Sequence, residues 1–281
     1  MIYADLHTHT LYAHGNNTPK EMYEAGKKRG LMIHGFSEHS PRPLGYDYPS
    51  EYREKLAAHF ADYVREVREL AEQAPRDGGR EVLLGLEMDW LENEIPFQQQ
   101  VLAGEHFDYV IGGIHFLGTW GFDASAEDWK QLSAEGREEC YARYYATMKK
   151  MAESGLFDIV AHPDLIKIFT VNEFHAWLEK PDSMSLVRDA LRALKNAGMA
   201  MEISSAGLRK PCGEIYPCGK IVEAAAELHV PITFGSDGHC VNTIATGFEE
   251  LSRHAAAAGY TQSLVFHRRE DGSREVRSLS F

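Results

Sequence analysis

The sequence has 281 residues, 44% of them hydrophobic, which is enough for one large α/β domain or two small ones. The formal net charge is −13 and no basic block occurs; this argues against a nucleic-acid or anionic-membrane partner, because both need clustered cations. Four cysteines without a Cys-x-x-Cys spacing, a short apolar start and no membrane-length apolar run predict reduced thiols in a cytoplasmic protein without a signal peptide.

Apolar runs alternate with amphipathic stretches along the whole chain. The first predicted strand contains Asp5-Leu6-His7-Thr8-His9, and Thr18-Pro19 opens a helix that ends at Gly30. The other predicted strands are 32–37, 82–86, 109–114, 157–161, 199–204 and 230–235. The other predicted helices are 50–73, 134–154, 183–197 and 219–228, followed by a last helix and a hairpin turn at Asp271-Gly272.

Strand alternates with helix about seven times, without a linker or a change in composition. This order predicts one α/β domain over residues 1–281, with a parallel sheet. The strands are uniformly apolar and are therefore expected to be buried on both faces, as barrel strands are.

Six of the seven predicted strands end in His, Glu or Asp. In barrel enzymes the carboxyl ends of the strands form the active site. Imidazole and carboxylate are ligands for divalent transition metals, and alternation along a strand points His7 and His9 the same way. A single such residue is more often a core histidine or a solvated strand end. Nine at one rim predict a metal centre: His7, His9, His14, His39, Glu87, His115, His162, Asp237 and His239.

Neighbouring polar residues are expected to support these ligands. Asp5 is predicted to accept a hydrogen bond from a ligand imidazole and orient it. Glu38 faces the other way from His39 and is a candidate for such support or for an ion pair, whereas Asp89 shares the face of Glu87 and its role stays open. His34, in mid-strand, is predicted to be a buried structural residue.

Short motifs spread over residues 5–239 resemble the PHP superfamily, named for polymerase and histidinol phosphatase. They are Asp5-Leu6-His7-Thr8-His9, Ser37-Glu38-His39, Gly85-Leu86-Glu87, His115, Ala161-His162-Pro163 and Gly235-Ser236-Asp237-Gly238-His239. The segments 202–211 and 214–217 resemble the histidinol-phosphate phosphatase branch, with one departure at Ser204, where that branch more often carries Asn.

The resemblance implies a single-domain, distorted (β/α)7 TIM-like barrel with up to three divalent metals, commonly zinc, iron or manganese. One metal would be held by His7, His9, Glu87 and Asp237. A second would be held by His14, His39 and His239, and a third by His115 and His162, with Glu87 bridging the first and the third. The implied activity is metal-dependent hydrolysis of histidinol phosphate to histidinol and phosphate, a step of histidine biosynthesis.

The predicted mechanism is hydrolysis of a phosphate monoester without a covalent intermediate. Asp237, Glu87 and His9 are the expected catalytic residues, and Asp237 is one candidate for protonating the leaving group. Arg209 and Lys210 are expected to bind phosphate oxygens, although solvated loop cations are as consistent with the sequence. No Gly-x-Ser-x-Gly elbow or phosphate-binding Gly-rich loop supports a serine nucleophile or a nucleotide triphosphatase.

Two alternatives stay open at this point. The protein could hydrolyse another small phosphate ester, such as a nucleotide or a sugar phosphate, or it could be a non-catalytic metal-stabilised barrel. The expected partner is a small molecule, and the sequence does not predict an oligomeric state.

Overall fold

Seven parallel strands form the central sheet of the computed structural model, which describes residues 1–48, 52–269 and 271–281. Their spatial order is β1-β2-β3-β4-β7-β8-β9, so neighbours in the sheet are also successive in the chain. The strands are β1 (Ala4–Asp5), β2 (Ile33–Phe36), β3 (Glu81–Asp89), β4 (Tyr109–Gly113), β5 (Phe116–Leu117), β6 (Trp120–Gly121), β7 (Ile159–Val160), β8 (Ala200–Ser204), β9 (Ile232–Gly235), β10 (Gln262–Arg268) and β11 (Arg274–Ser280). Two antiparallel pairs, β5 with β6 and β10 with β11, lie outside the central sheet.

Backbone hydrogen bonds bring the first and the last strand of the sheet together. The N–H of Leu6 donates to the carbonyl of Phe234 at 3.1 Å, and the N–H of His9 donates to that of Gly238 at 2.9 Å. The sheet is therefore a nearly closed barrel, as expected from the seven-fold alternation of strand and helix.

Nine helices surround the sheet in the described part of the chain: α1 (Pro19–Lys28), α2 (Tyr52–Gln73), α3 (Ile95–Gly104), α4 (Ala126–Lys130), α5 (Ala134–Glu153), α6 (Val171–Leu178), α7 (Pro181–Asn196), α8 (Gly219–Glu227) and α9 (Phe248–Ala257). The start of α1 is as predicted, because Thr18 accepts from the N–H of Glu21 and the Glu21 carboxylate accepts from the N–H of Thr18. None of the described helices is both long and apolar enough to cross a bilayer.

The interior of the barrel is a compact apolar cluster around Tyr109. Its phenol lies where side chains at Gly35 and Gly85 would collide with it, and its hydroxyl donates to the carbonyl of Leu6 at 2.7 Å. Small residues on the neighbouring strands therefore make room for one large ring in the centre of the barrel.

The hairpin of β10 and β11 closes the amino end of the barrel. Phe266 of β10 packs into the interior cluster, while Arg277 pairs with Glu81 at the start of β3 and Arg268 with Asp158 just before β7. The hairpin therefore seals the apolar interior at this end, and the predicted metal ligands lie at the opposite, carboxyl end of the strands.

The structure corrects several predicted boundaries. The regular pairing of the first strand with β2 ends at Asp5. His7 and His9 lie beyond it, in a segment that pairs with the rest of the sheet through an isolated bridge between Thr8 and Gly238. Helix α1 ends before Gly30, which has φ +88°. Strand β3 runs on to Asp89 because β4 pairs with it up to that residue, so Glu87 lies inside the strand.

Three helices, α3, α4 and α6, were not predicted. Each has at most ten residues, and in α3 a mainly apolar composition weakens the helical period. The predicted start of the second helix at residue 50 lies outside the described residues.

Candidate metal centre

All nine side chains predicted as metal ligands meet at the carboxyl end of the barrel. Glu87 lies within β3, close to its carboxyl end, and the others come from strand ends or from the loops that follow strands. Parallel strands bring those ends to one rim. The predicted ligands are therefore spread over most of the chain, from His7 to His239.

The carboxylate of Glu87 is the centre of this cluster and is almost completely buried. Five imidazole nitrogens surround it: those of His39 (3.1 Å), His162 (3.1 Å), His7 (3.2 Å), His9 (3.3 Å) and His115 (3.6 Å). Three of these contacts are made to Oε2 and two to Oε1, so both oxygens of one carboxylate face imidazole nitrogens.

Asp237 completes the cluster on the side that faces the cavity. Its Oδ1 lies 3.3 Å from His9 Nε2, 3.4 Å from His239 Nδ1 and 3.8 Å from His7 Nε2. The ring of His14 lies 4.0 Å from that of His239, measured between centroids. Thus His14, in a loop, joins the histidines that follow strands.

The predicted ligands form three sets, and within each set the possible ligand atoms lie within 4.8 Å of one another. The sets are His7, His9 and Asp237; His9, His39 and His239; and His7, Glu87 and His162. The first set and the contact of His39 with His239 agree with the partition that the resemblance implies. His9 and His7, however, each belong to two sets, and His162 groups with His7 as well as with Glu87.

Three buried carboxylates fix the orientation of imidazoles that are predicted ligands. Glu202 accepts from His7 Nδ1 at 2.7 Å, Glu38 from His9 Nδ1 at 3.1 Å, and Asp89 from His115 Nδ1 at 2.7 Å. A hydrogen bond at one ring nitrogen leaves the lone pair on the other, which is the form that binds a metal. The predicted supporting role of Glu38 is confirmed, and the open question of Asp89 is resolved.

The predicted role of Asp5 is wrong. Its oxygens accept from the N–H and the hydroxyl of Ser236 and from the N–H of Ala245, and it meets His7 only at the backbone N–H. Asp5 therefore anchors the loop that carries Asp237 instead of orienting an imidazole. The orienting carboxylate of His7 is Glu202, and the signal for it was a charged residue inside the otherwise apolar strand β8. His34 is buried beside Thr8, as predicted for a structural histidine.

The donor atoms fit metal cations. In the neutral form that binds a metal, the Nδ1 atoms of His7 and His9 donate to carboxylates. Their Nε2 lone pairs then point at each other across 3.1 Å, with Glu87 and Asp237 close by. Lone pairs and carboxylates at such distances repel one another unless cations lie between them. A set of seven imidazoles and two carboxylates is also the donor chemistry that divalent transition metals prefer.

The backbone adopts left-handed conformations at two of the ligands. His162 has φ +26° and Asp237 has φ +48°, a region that residues other than glycine rarely occupy. Such conformations persist only where the surroundings enforce them. For His162 the enforcing contact is its N–H, which donates to Glu202 at 2.7 Å.

The imidazoles differ in their protonation without metal. Burial lowers the pKa of His14, His39 and His239, which keeps them neutral. Burial also opposes the charged form of His115, but Asp89 and Glu87 outweigh it and raise the pKa of His115 to about 9. Carboxylates likewise raise the pKa of His7 and His9 in spite of their burial.

A cavity of about 480 Å³ opens onto this cluster. Besides predicted ligands it is lined by Arg42, Tyr48, Asp123, Ala124, Leu165 and Lys210. Sequence reasoning missed Arg42, Tyr48 and Asp123, since they lie in irregular loops that carry no periodic signal. Arg42 donates to Asp89 and its guanidinium lies 5.0 Å from the centre of the Tyr48 ring.

The two predicted phosphate-binding cations occupy different positions. Lys210 lines the cavity. The guanidinium of Arg209 donates to the carbonyls of Ser236 (2.6 Å) and Asp237 (3.2 Å) and to the hydroxyl of Thr246 (3.1 Å). Arg209 therefore holds the backbone of the loop that carries Asp237.

Known proteins similar to this chain include histidinol-phosphatases, and the chain matches the model of one family. The model of the PHP domain family matches residues 5–206. A protein of Deinococcus radiodurans named a probable histidinol-phosphatase is 35% identical, covering 94% of this chain and 97% of the relative. The histidinol-phosphatase of Bacillus subtilis is 29% identical, covering 87% and 96%.

A solved structure has the same fold. The crystal structure of the histidinol phosphate phosphatase of Lactococcus lactis, in complex with zinc, L-histidinol and phosphate, aligns with a TM-score of 0.75 at 20% identity. The alignment covers 94% of this chain and 97% of that one. The predicted barrel is thereby confirmed.

Proposed function

The chain belongs to the PHP domain family, and we propose that it is a metal-dependent phosphatase that hydrolyses L-histidinol phosphate to L-histidinol and phosphate. The observation that carries the proposal is the convergence of seven imidazoles and two carboxylates at the floor of a cavity large enough for a small ester. The relatives named histidinol-phosphatase, each aligned over at least 87% of this chain, support this substrate.

We propose that the nine side chains hold up to three divalent ions, with zinc, iron or manganese as candidates. Ions bound here would supply activation of water and neutralisation of the phosphoryl oxygens. Glu202, Glu38 and Asp89 hold His7, His9 and His115 in the orientation that binding needs. Such supporting carboxylates typically matter tenfold or more for metal affinity.

Lys210 is the proposed cation for the phosphate dianion, because it lines the cavity beside the cluster. Arg209 supports Asp237 by binding the carbonyls of the same loop. Its predicted direct contact with phosphate stays a prediction.

Asp237 is the proposed group that accepts a proton from the attacking water and then passes it to the leaving alkoxide. Its side chain is 12% exposed and lines the cavity, whereas that of Glu87 is 1% exposed and is surrounded by imidazoles. Of the two carboxylates in the cluster, Asp237 is thus the better placed to exchange a proton with a substrate. Glu87 and His9 are proposed to act by holding the ions.

The substrate is tested by phosphate release from L-histidinol phosphate, a nucleoside monophosphate and a sugar phosphate, with metal-reconstituted protein. We expect kcat/KM to be at least 100-fold higher for L-histidinol phosphate. Comparable rates on all three esters would move the function to a general small-ester phosphatase, and no hydrolysis of any of them would favour a non-catalytic barrel. We further propose that the reaction takes place in the cytoplasm.

A further inference from the structure

Beyond the predicted metal ligands, one carboxylate lines the cavity within the described part of the chain. It belongs to Asp123, in the loop between β6 and α4, and it shares the cavity with Lys210 and with His115 and His162 of the cluster. None of the proposed steps of hydrolysis uses it.

A hydrogen bond holds Asp123 in place without neutralising it. The hydroxyl of Tyr48 donates to Asp123 Oδ1 at 2.8 Å, and the Tyr48 ring is itself held by the guanidinium of Arg42 at 5.0 Å. Among the residues that the structure describes, no Lys, Arg or His forms an ion pair with Asp123 within 4.0 Å. Asp123 thus lines the cavity as a carboxylate with one hydrogen bond from a neutral hydroxyl and no ion pair to a described cation.

We propose that Asp123 binds the ammonium group of the substrate and selects phosphate esters that carry one. The inference rests on the proposed function and names the group that recognises the organic part of the substrate. In L-histidinol phosphate the amine is attached to the carbon next to the one that bears the phosphate oxygen. A carboxylate that lines the same cavity as Lys210 and the cluster can therefore meet this cation while they bind the phosphate.

The arrangement of charges supports selection against other esters. Lys210 and the proposed ions attract any phosphate, so they cannot distinguish one ester from another. A carboxylate near them binds an ester with an adjacent cation more tightly. The same carboxylate is left without a partner when the organic part of the ester is neutral or anionic. Asp123 would therefore discriminate against sugar and nucleoside phosphates.

The test removes the carboxylate from the enzyme and the amine from the substrate, separately and together. The Asp123→Asn variant and the parent protein are assayed with L-histidinol phosphate and with its analogue without the amine, 3-(imidazol-4-yl)propyl phosphate. Hydrogen bonds between charged groups are worth enough to change binding about 10- to 100-fold. We expect the parent protein to prefer the amine by such a factor in kcat/KM, and Asp123→Asn to lose most of this preference.

Two further variants control the experiment. Glu127→Gln removes an exposed acid on α4 that pairs with Lys130 outside the cavity, and it should keep the full preference for the amine. Tyr48→Phe removes the hydroxyl that orients Asp123 and should lose part of the preference.

An unchanged preference for the amine in Asp123→Asn would overturn the inference. So would an equal loss of kcat/KM on both esters, since that would show a structural role instead of recognition. The proposed function fails separately, if the parent protein shows no preference for L-histidinol phosphate in the substrate panel.

Discussion

At the scale of single residues, the cluster depends on carboxylates that never touch the cavity. Glu202 accepts from the ring of His7 and from the backbone N–H of His162, so it holds two predicted ligands that are far apart in the sequence. Gly235 is needed beside it, because a Cβ there would collide with the Glu202 carboxylate. The sequence motif contains Glu202, but only the folded structure shows that it faces His7.

Replacing Glu202 by Gln should weaken metal binding about 10- to 100-fold while the barrel stays folded, because an amide cannot accept hydrogen bonds at both of its ends. Bound metal per chain after dialysis against a metal buffer measures this effect, and circular dichroism checks the fold. Glu223→Gln, on the exposed face of α8, is the matched control. Normal metal content in Glu202→Gln would contradict the proposed support.

Asp237→Ala and His9→Ala should each reduce kcat by at least a factor of 1000, since each removes a side chain at the centre of the proposed catalytic cluster. Phosphate release under saturating metal and substrate measures the loss, and thermal unfolding monitors the fold. Full activity in either variant would refute the assigned mechanism.

The neighbours Arg209 and Lys210 should differ in their kinetic effect. Lys210→Ala is expected to raise KM and the inhibition constant of phosphate about tenfold, because it removes a cation that lines the cavity. Arg209→Gln should mainly lower kcat, since the loop of Asp237 loses its support. If Arg209→Gln instead raised the inhibition constant of phosphate as much as Lys210→Ala, the direct phosphate contact of Arg209 would be supported.

At the scale of elements, the seven strands and six of the nine described helices were predictable, because the apolar period acts locally and, at some helix starts, so do the capping residues. The capping box of α1 at Thr18 and Glu21 is an example. The length of β3 was not predictable, because its last residues are held by pairing with β4, which is distant in sequence. The same holds for Asp5, whose nearest polar partners lie more than 230 residues further along the chain.

The hairpin of β10 and β11 should contribute to stability without affecting catalysis. Phe266 is 1% exposed and fills the sealed end of the barrel, so Phe266→Ala should cost about 3–5 kcal/mol in the free energy of unfolding. In a chain of this size such a loss lowers Tm by about 10 °C. Val276 on β11 is 45% exposed, so Val276→Ala should change Tm and the free energy of unfolding little.

Chemical denaturation of the two hairpin variants provides the measurement, together with kcat at a temperature where both are folded. A strong loss of kcat in folded Phe266→Ala would show that the sealed end and the metal centre are coupled.

At the scale of the whole molecule, the acidic surface and the anionic substrate are compatible. The net charge of −13 is spread over the chain, and salt screens surface charges beyond about 8–10 Å. The cluster holds two carboxylates and its imidazoles contact three more, so three bound divalent ions leave a local positive charge. Composition predicted the absence of a basic surface, but the local field could be inferred only once the histidines were placed together.

Metal binding should release protons. Asp89 and Glu87 hold the pKa of His115 at about 9, above its ordinary value, so His115 is protonated in the metal-free protein at neutral pH and must lose its proton to bind an ion. The apparent metal affinity should therefore rise with pH up to about 9. Calorimetric titration in buffers of different ionisation enthalpy counts the protons released, and an affinity independent of pH between 6 and 9 would contradict the sign of this shift.

The central claim is that the cluster is a metal centre that catalyses phosphate ester hydrolysis. It is tested most directly by titrating metal-free protein with Mn²⁺ or Zn²⁺ while phosphate release from L-histidinol phosphate is recorded. We expect no activity without metal, a rise with the first equivalents, and saturation at two to three ions per chain. Activity that persists in the metal-free protein, or that stays absent when the ions are bound, would contradict it.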